Sequence, residues 1–403
     1  MKKTVVFTAF FSLFLIIFCV GASADSRTVD IGLFYGSSAK SSVTISTSFG
    51  TGTITAEEVG DEKVFYSDGP VSVDGKQYRG SIILRKNSSG LLTVINRVDL
   101  EDYVASVVSK EMSPSFNTEA LKAQAVCART YAVKYLGKHK TYGFDLCAST
   151  DCQAYGGVAS ESETTTAAAQ ATKGQVMRYN GSIIDAVYSA TSGGWTEDVR
   201  YVWGSEIPYL TAVEDSYESK SVYGSTWTKE ITVERATEIM NSKGYNLGTV
   251  TGITIVDQTE RGVVTELKVT GTNGEKTFKR EGCRLAFGSV TMSQAFSVTA
   301  NTEGAVQAEP LYAYGNKPVS GNVSIKSADG VSQRTLDGIT VQGSTRREYK
   351  AVLSGGTVTS FTFNGRGNGH LVGMSQNGAN GMAAAGFTYD QILKHYYKGI
   401  EIN

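Results

Sequence analysis

The chain has 403 residues, of which 41% are apolar, with 38 Lys and Arg against 39 Asp and Glu. That is long enough for two or three domains with proper cores. The near-neutral charge argues against a nucleic-acid partner or an electrostatically held membrane surface.

Residues 1–24, MKKTVVFTAFFSLFLIIFCVGASA, have the order of a secretory signal. Lys2 and Lys3 come first, then an apolar stretch, then an A-x-A cleavage site at Ala22-Ser23-Ala24. Export is expected, to the cell wall or the outer face of the cytoplasmic membrane, with an uncleaved anchor as the lesser alternative. Cys19 follows bulky Phe18, which does not suit a lipoprotein cleavage site. Without Lys2 and Lys3, 36 basic residues stand against 39 acidic ones. The cysteines left are Cys127, Cys147, Cys152 and Cys283, too few for a disulfide framework. No other segment is apolar enough to span a bilayer.

Residues 25–97 read as β structure. Ile31, Leu33 and Tyr35 alternate, as do Val43 and Ile45, Asp74-Gly75 is a tight-turn pair, and SIILRKNSSGLLTVIN is a hairpin turning at Ser89-Gly90. Residues 100–136 then read as two helices broken at Pro114. In the first, Leu100, Val104, Val107 and Val108 recur at helical spacing. Glu111 lies eleven residues past Leu100, within roughly 20° of its direction at about 100° per residue. An acid at the end of an apolar stripe has its charged form disfavoured and its pKa raised, which suits a general acid. The competing reading is a structural acid paired with Arg129 or Lys122. Glu101 and Asp102 read as ordinary first-turn acids. The second helix starts near Thr118 with Asn117 as N-cap, ends at Gly137, and is rich in alanine, which lets another element approach closely. Cys127 within it reads as a small buried hydrophobe.

His139, Cys147 and Cys152 follow within fourteen residues. The ligand types suit zinc, while a short Cys147–Cys152 disulfide is an equal reading of the spacing. A third helix is expected over residues 160–172. A hairpin then turns on Asn180-Gly181, and its second strand runs into Thr191-Ser192-Gly193-Gly194-Trp195. That mix of backbone N–H groups, hydroxyls and an aromatic ring suits a sugar, or is merely a sharp turn. Residues 231–296 mix α and β, with a helix near residues 233–243. Residues 298–356 read as short polar strands. The glycine-rich run NGRGNGHLVG presents His370 on a loop; it lacks the acidic partner of a dinucleotide site. Thr388 and Gln391 form a capping box for a last helix, and His395 suits that helix's C-terminal dipole.

Five segments in this order, LEDYVASVVSKEM, EALKAQAVCARTYAV, CASTDCQAYGG, YSATSGGWTEDV and GHLVGMSQNGANGMAAAGFTYDQILKHYY, resemble the stage II sporulation protein D family. The resemblance covers roughly residues 78–296 and 361–402. It implies a peptidoglycan lytic transglycosylase that acts best on glycan strands stripped of stem peptides and works with a peptidoglycan amidase during engulfment. It implies Glu111 as the catalytic acid and His139, Cys147 and Cys152 as metal ligands, which favours zinc over the disulfide. Related chains act as amidase enhancers or wall-binding proteins, so a non-catalytic glycan-binding or amidase-enhancing role is the alternative. Leu371 stands where that family usually has glycine, Cys127 where it has alanine, and residues 297–360 are a longer stretch than expected.

The expected fold is α+β: a signal over residues 1–24, a β-rich part over 25–97, a core carrying the glutamate and the zinc loop over 98–300, an inserted β module over 301–360, and a completing loop and helix over 361–403. The substrate-binding set is Arg129, Tyr131, Ser192, Gly193, His370, Gly373, Ser375 and Gln376. A structural zinc, closed by sulfur ligands, holds the loop after the second helix. A single well-placed acid with no clear second carboxylate suits intramolecular attack better than hydrolysis. Glu197, Asp198 and Glu214 are the fallback second acids.

Overall fold

The computed structural model describes residues 27–303, 317–327, 330–341 and 357–403. The signal expected over residues 1–24 lies outside the described residues. No helix among the described residues is long and apolar enough to cross a membrane.

The β region yields eight strands: β1 (Thr28–Phe34), β2 (Ser42–Thr47), β3 (Gly50–Thr55), β4 (Glu62–Phe65), β5 (Val71–Val73), β6 (Lys76–Tyr78), β7 (Ser81–Lys86) and β8 (Leu92–Asp99). One antiparallel sheet runs β3–β2–β5–β6; another runs β4–β7–β8–β1 and is extended by β9 (Leu146–Cys147), parallel to β1. The β5–β6 turn is Asp74-Gly75, with φ of 48° and 84°, the mirror-image geometry that matches strand twist.

β8 runs straight into α1 (Leu100–Glu111), where the Asp99 side chain accepts the Glu101 N–H at 2.8 Å. The expected stripe is buried, and Tyr103 joins it. The helix ends at Glu111 because Met112 is extended and Pro114 follows. In α2 (Thr118–Lys134), which stops three residues before Gly137, Ala120, Ala123, Ala125, Ala128 and Ala132 are all buried. Asn117 stands at its N-cap position but caps nothing; its amide bonds to Asn380 instead. α3 (Glu163–Ala171) is closed by a Ser162–Thr165 capping box.

β10 (Met177–Tyr179) and β11 (Ser182–Ile183) turn on Asn180-Gly181 as expected, but β11 leaves the pair after two residues. The chain re-pairs as β12 (Tyr188–Ser189), and α4 (Val199–Val202) follows. A second hydrophobic core is then built by β13 (Thr226–Thr232), α5 (Val233–Ser242), β14 (Val250–Gln258), β15 (Val264–Gly271), β16 (Gly274–Lys279), α6 (Glu281–Leu285), β17 (Phe296–Glu303) and, later in the chain, β20 (Thr357–Arg366). Within 301–360, β18 (Lys317–Ser327) and β19 (Gly330–Val341) form an antiparallel hairpin.

β21 (Met374–Ser375) pairs in parallel with β12, and α7 (Gln376–Ala384), α8 (Tyr389–Tyr396) and β22 (Glu401–Ile402) close the first core, β22 pairing with β10. The glycine-rich stretch expected as loop thus contains a helix. Gly378 and Gly381 serve close packing there: a Cβ on Gly378 would lie 2.2 Å from Asp215 Oδ1 and from the Tyr396 hydroxyl. The chain is an α+β fold, with two large hydrophobic cores among the described residues.

Candidate active site and metal-binding loop

Glu111 ends the buried face of α1. The β12–β21 pairing sets Tyr188 and Gln376, from segments nearly two hundred residues apart, against its carboxyl group. Ala154 N–H donates to Glu111 Oε1 at 3.2 Å, Gln376 Nε2 reaches Oε2 at 3.4 Å, and the Tyr188 hydroxyl faces the same carboxyl. Burial raises the Glu111 pKa above its ordinary value, and these three polar neighbours offset part of the rise. None of the three groups is a carboxylate. Gln153 supports the arrangement by donating to the Tyr188 hydroxyl at 2.9 Å and accepting from Tyr103 at 3.2 Å.

The ion-pair reading of Glu111 does not hold. Lys122 pairs with Glu119, and Arg129 pairs with Glu101. Glu101 is therefore no ordinary first-turn acid but half of a buried ion pair. The guanidinium donates to both Glu101 oxygens, at 2.8 Å and 2.5 Å, and to the carbonyls of Ala169 and Gln175. Arg129 is wholly buried, so its donors are spent inside the fold and not offered to a ligand.

Ser192, Gly193 and Ser375 are brought together, around two acids that the sequence did not signal. Glu218 accepts the N–H groups of Ser192 and Gly193 at 2.7 and 2.9 Å and the Ser375 hydroxyl at 2.8 Å. Asp215 accepts the Ser192 hydroxyl at 2.7 Å and the Tyr396 hydroxyl at 2.9 Å. Burial, together with the Glu218 charge, pushes the Asp215 pKa up to about 6. Gly373 has φ 73°, with its α-carbon packed against the Val187 carbonyl. His370 is half-buried, 5.0 Å from the Trp203 ring, and its Nδ1 accepts the Val372 N–H. Desolvation takes its pKa to about 4, so it is neutral. It is tucked into the fold, not presented on the loop. Burial lowers the His395 pKa, and its Nε2 bonds to the Glu214 carbonyl at 2.9 Å. The fallback acids are engaged elsewhere or exposed: Glu197 with Thr259 and Arg261, Asp198 with Arg200 and the N-terminus of α4.

His139, Cys147 and Cys152 do converge, and Asp151 completes them. One ligand atom from each lies within 4.8 Å of all the others. His139 Nε2 is 3.3 Å from Cys152 Sγ and 3.2 Å from an Asp151 oxygen, and Cys147 Sγ is 3.8 Å from the same oxygen. Tetrahedral zinc with bonds of about 2.0–2.3 Å sets ligand atoms about 3.3–3.8 Å apart, so these three distances and the donor types suit that ion. Both cysteines are free thiols. Asp151 adjoins Cys152 in the sequence, which was a readable signal. Tyr131, on α2, faces this loop, its hydroxyl 3.5 Å from the Asp151 carbonyl.

A family model described as Stage II sporulation protein matches residues 88–179, the stretch that holds Glu111 and the whole cluster of His139, Cys147, Asp151 and Cys152. The chain is 32% identical to an amidase enhancer of Bacillus subtilis over 82% of its own length, but spans only 44% of that relative. It is 29% identical to stage II sporulation protein D of Bacillus subtilis, covering 77% of this chain and 76% of the relative. A protein of Brachyspira hyodysenteriae is 28% identical over 84% and 76% of the two chains. These alignments reach well beyond the matched segment, and over most of its length the chain is similar to the stage II sporulation protein D family.

Proposed function

We propose that the chain is an exported cell-wall protein of sporulation that cleaves peptidoglycan glycan strands as a lytic transglycosylase. One observation carries this reading: Glu111 meets an amide N–H, an amide side chain and a phenol, and among the described residues no carboxylate is one of its partners. Glycoside hydrolysis needs a second carboxylate to activate water or attack the sugar. Attack by a hydroxyl of the substrate itself does not.

In this mechanism protonated Glu111 gives its proton to the oxygen between N-acetylmuramic acid and N-acetylglucosamine as that bond to C1 breaks. The resulting carboxylate takes the proton from the C6 hydroxyl of the muramic residue, whose oxygen bonds to C1. The products are a 1,6-anhydromuramic end and a free N-acetylglucosamine hydroxyl, and Glu111 is protonated again. A pKa raised by burial suits the first step, and donors aimed at the carboxylate stabilise the state between the two. Activity should fall as pH rises through the Glu111 pKa, above the range of an ordinary glutamate.

The cluster of His139, Cys147, Asp151 and Cys152 is proposed to hold one zinc ion. Zinc would supply cross-linking of the loop, not chemistry on the glycan. Gln153 and Ala154 follow Cys152 directly and contact the Tyr188–Glu111 pair, so ordering that loop orders the acid.

Digestion of denuded glycan by wild type and Glu111→Gln tests the reading. Wild type should release anhydro-ended fragments and the variant none, with unchanged folding and zinc content. The amidase-enhancer relative favours a second reading, a non-catalytic module that binds glycan and activates an amidase. Equal binding by both forms, with cleavage by neither, would support it.

A further inference from the structure

Gln124 is a long amide on the alanine-rich face of α2, wholly buried among Ala120, Ala123, Ala125 and Ala128. Its Oε1 accepts from Gln376 Nε2 at 3.4 Å, the same nitrogen that reaches Glu111 Oε2 at 3.4 Å. Its own Nε2 is buried and has no hydrogen-bond partner among the described residues. A buried donor left unmet costs stability that an apolar side chain of this size would not.

The partners decide which end of each amide is which. Turning Gln124 over by itself would set its NH2 against the NH2 of Gln376. Turning both over would set the oxygen of Gln376 against the ionised carboxyl of Glu111. The arrangement that serves an ionised Glu111 therefore pushes one surplus donor to the far end of the chain, and that donor is Gln124 Nε2.

We propose that Gln124 is a positioning residue, whose buried carbonyl oxygen holds the Gln376 amide with its nitrogen towards Glu111. The inference rests on Glu111 being the reactive group, but it concerns the ionisation of that carboxyl and needs no substrate. The titratable group facing Glu111 is Tyr188, with Tyr103 and Cys127 near it. Burial raises all three above their ordinary values, so none changes charge while the carboxyl titrates.

Carbon-13 NMR of protein labelled at the glutamate carboxyl carbon reads the Glu111 midpoint, assigned by the signal missing from Glu111→Gln. Gln376→Leu should raise that midpoint by about one unit, the worth of one hydrogen bond to a charged group. Gln124→Leu should raise it too, and the double variant no further than Gln376→Leu, because Gln124 acts only through Gln376. An unchanged midpoint in Gln124→Leu, or additive shifts, would overturn the proposal. If Gln124→Leu does not fold, the unsubstituted protein decides. The side-chain NH2 signals of Gln124 and Gln376 should follow the Glu111 midpoint and lose that dependence in Glu111→Gln; a Gln124 signal indifferent to pH would overturn the proposal. Intact shifts in a protein that leaves glycan uncut would defeat the proposed activity and leave the positioning role standing.

Discussion

At the residue scale, the direction of Glu111 was legible because helical periodicity alone aims it along the apolar stripe. Its partners were not, since Tyr188 and Gln376 reach it only through a two-residue strand pairing. Arg129 was misjudged for a related reason: a lone arginine in an alanine-rich helix signals function or a buried pair equally well, and the pair with Glu101 is tertiary. Breaking that pair by Glu101→Gln strands a buried cation, and should cost about 3–5 kcal/mol in urea unfolding. Asp215 gives a pH prediction. Its carboxyl titrates near 3.9 when unfolded and at about 6 when folded, so between these values the folded state binds more protons. Its contribution to stability is therefore greatest at low pH and falls as pH rises from about 4 to about 6, by about 3 kcal/mol. Asp215→Asn should remove this slope in unfolding measurements across that range. A steeper fall in the variant would contradict the assignment.

At the element scale, strong local signals carried through. The Asp74-Gly75 and Asn180-Gly181 turns and the capping box at Thr388 all stand where residue chemistry put them. α7 was not legible, because glycine in a helix reads as loop unless its neighbours are known. Gly378→Ala gains about 1 kcal/mol of helix propensity but sets a methyl group 2.2 Å from two buried oxygens. Overpacking should win, with a net loss of about 1–2 kcal/mol in urea unfolding. The metal-binding loop gives another test. Elemental analysis should find one zinc per chain, lost in Cys147→Ser together with thermal stability. An intact Cys147–Cys152 disulfide in metal-free, active protein would contradict it.

At the scale of the whole molecule, composition allowed more than one core, but no boundary signal near residue 226 announced where the second begins. Leu371 lies where the two meet, wholly buried against Val263 and Ala295, with φ 64°. That left-handed backbone is the conformation a glycine would take, and it costs leucine about 1–2 kcal/mol. Leu371→Gly relieves this strain but leaves a cavity worth more, so a net destabilisation of about 1–2 kcal/mol is expected in urea unfolding. Among the described residues no carboxylate is a direct partner of Glu111, and the chemistry proposed for it is what most needs testing. Denuded glycan digested in oxygen-18 water, with the products weighed by mass spectrometry, tests it most directly. The account predicts 1,6-anhydromuramic ends without the label, abolished in Glu111→Gln. Reducing ends carrying oxygen-18 would contradict it and require a second carboxylate that activates water.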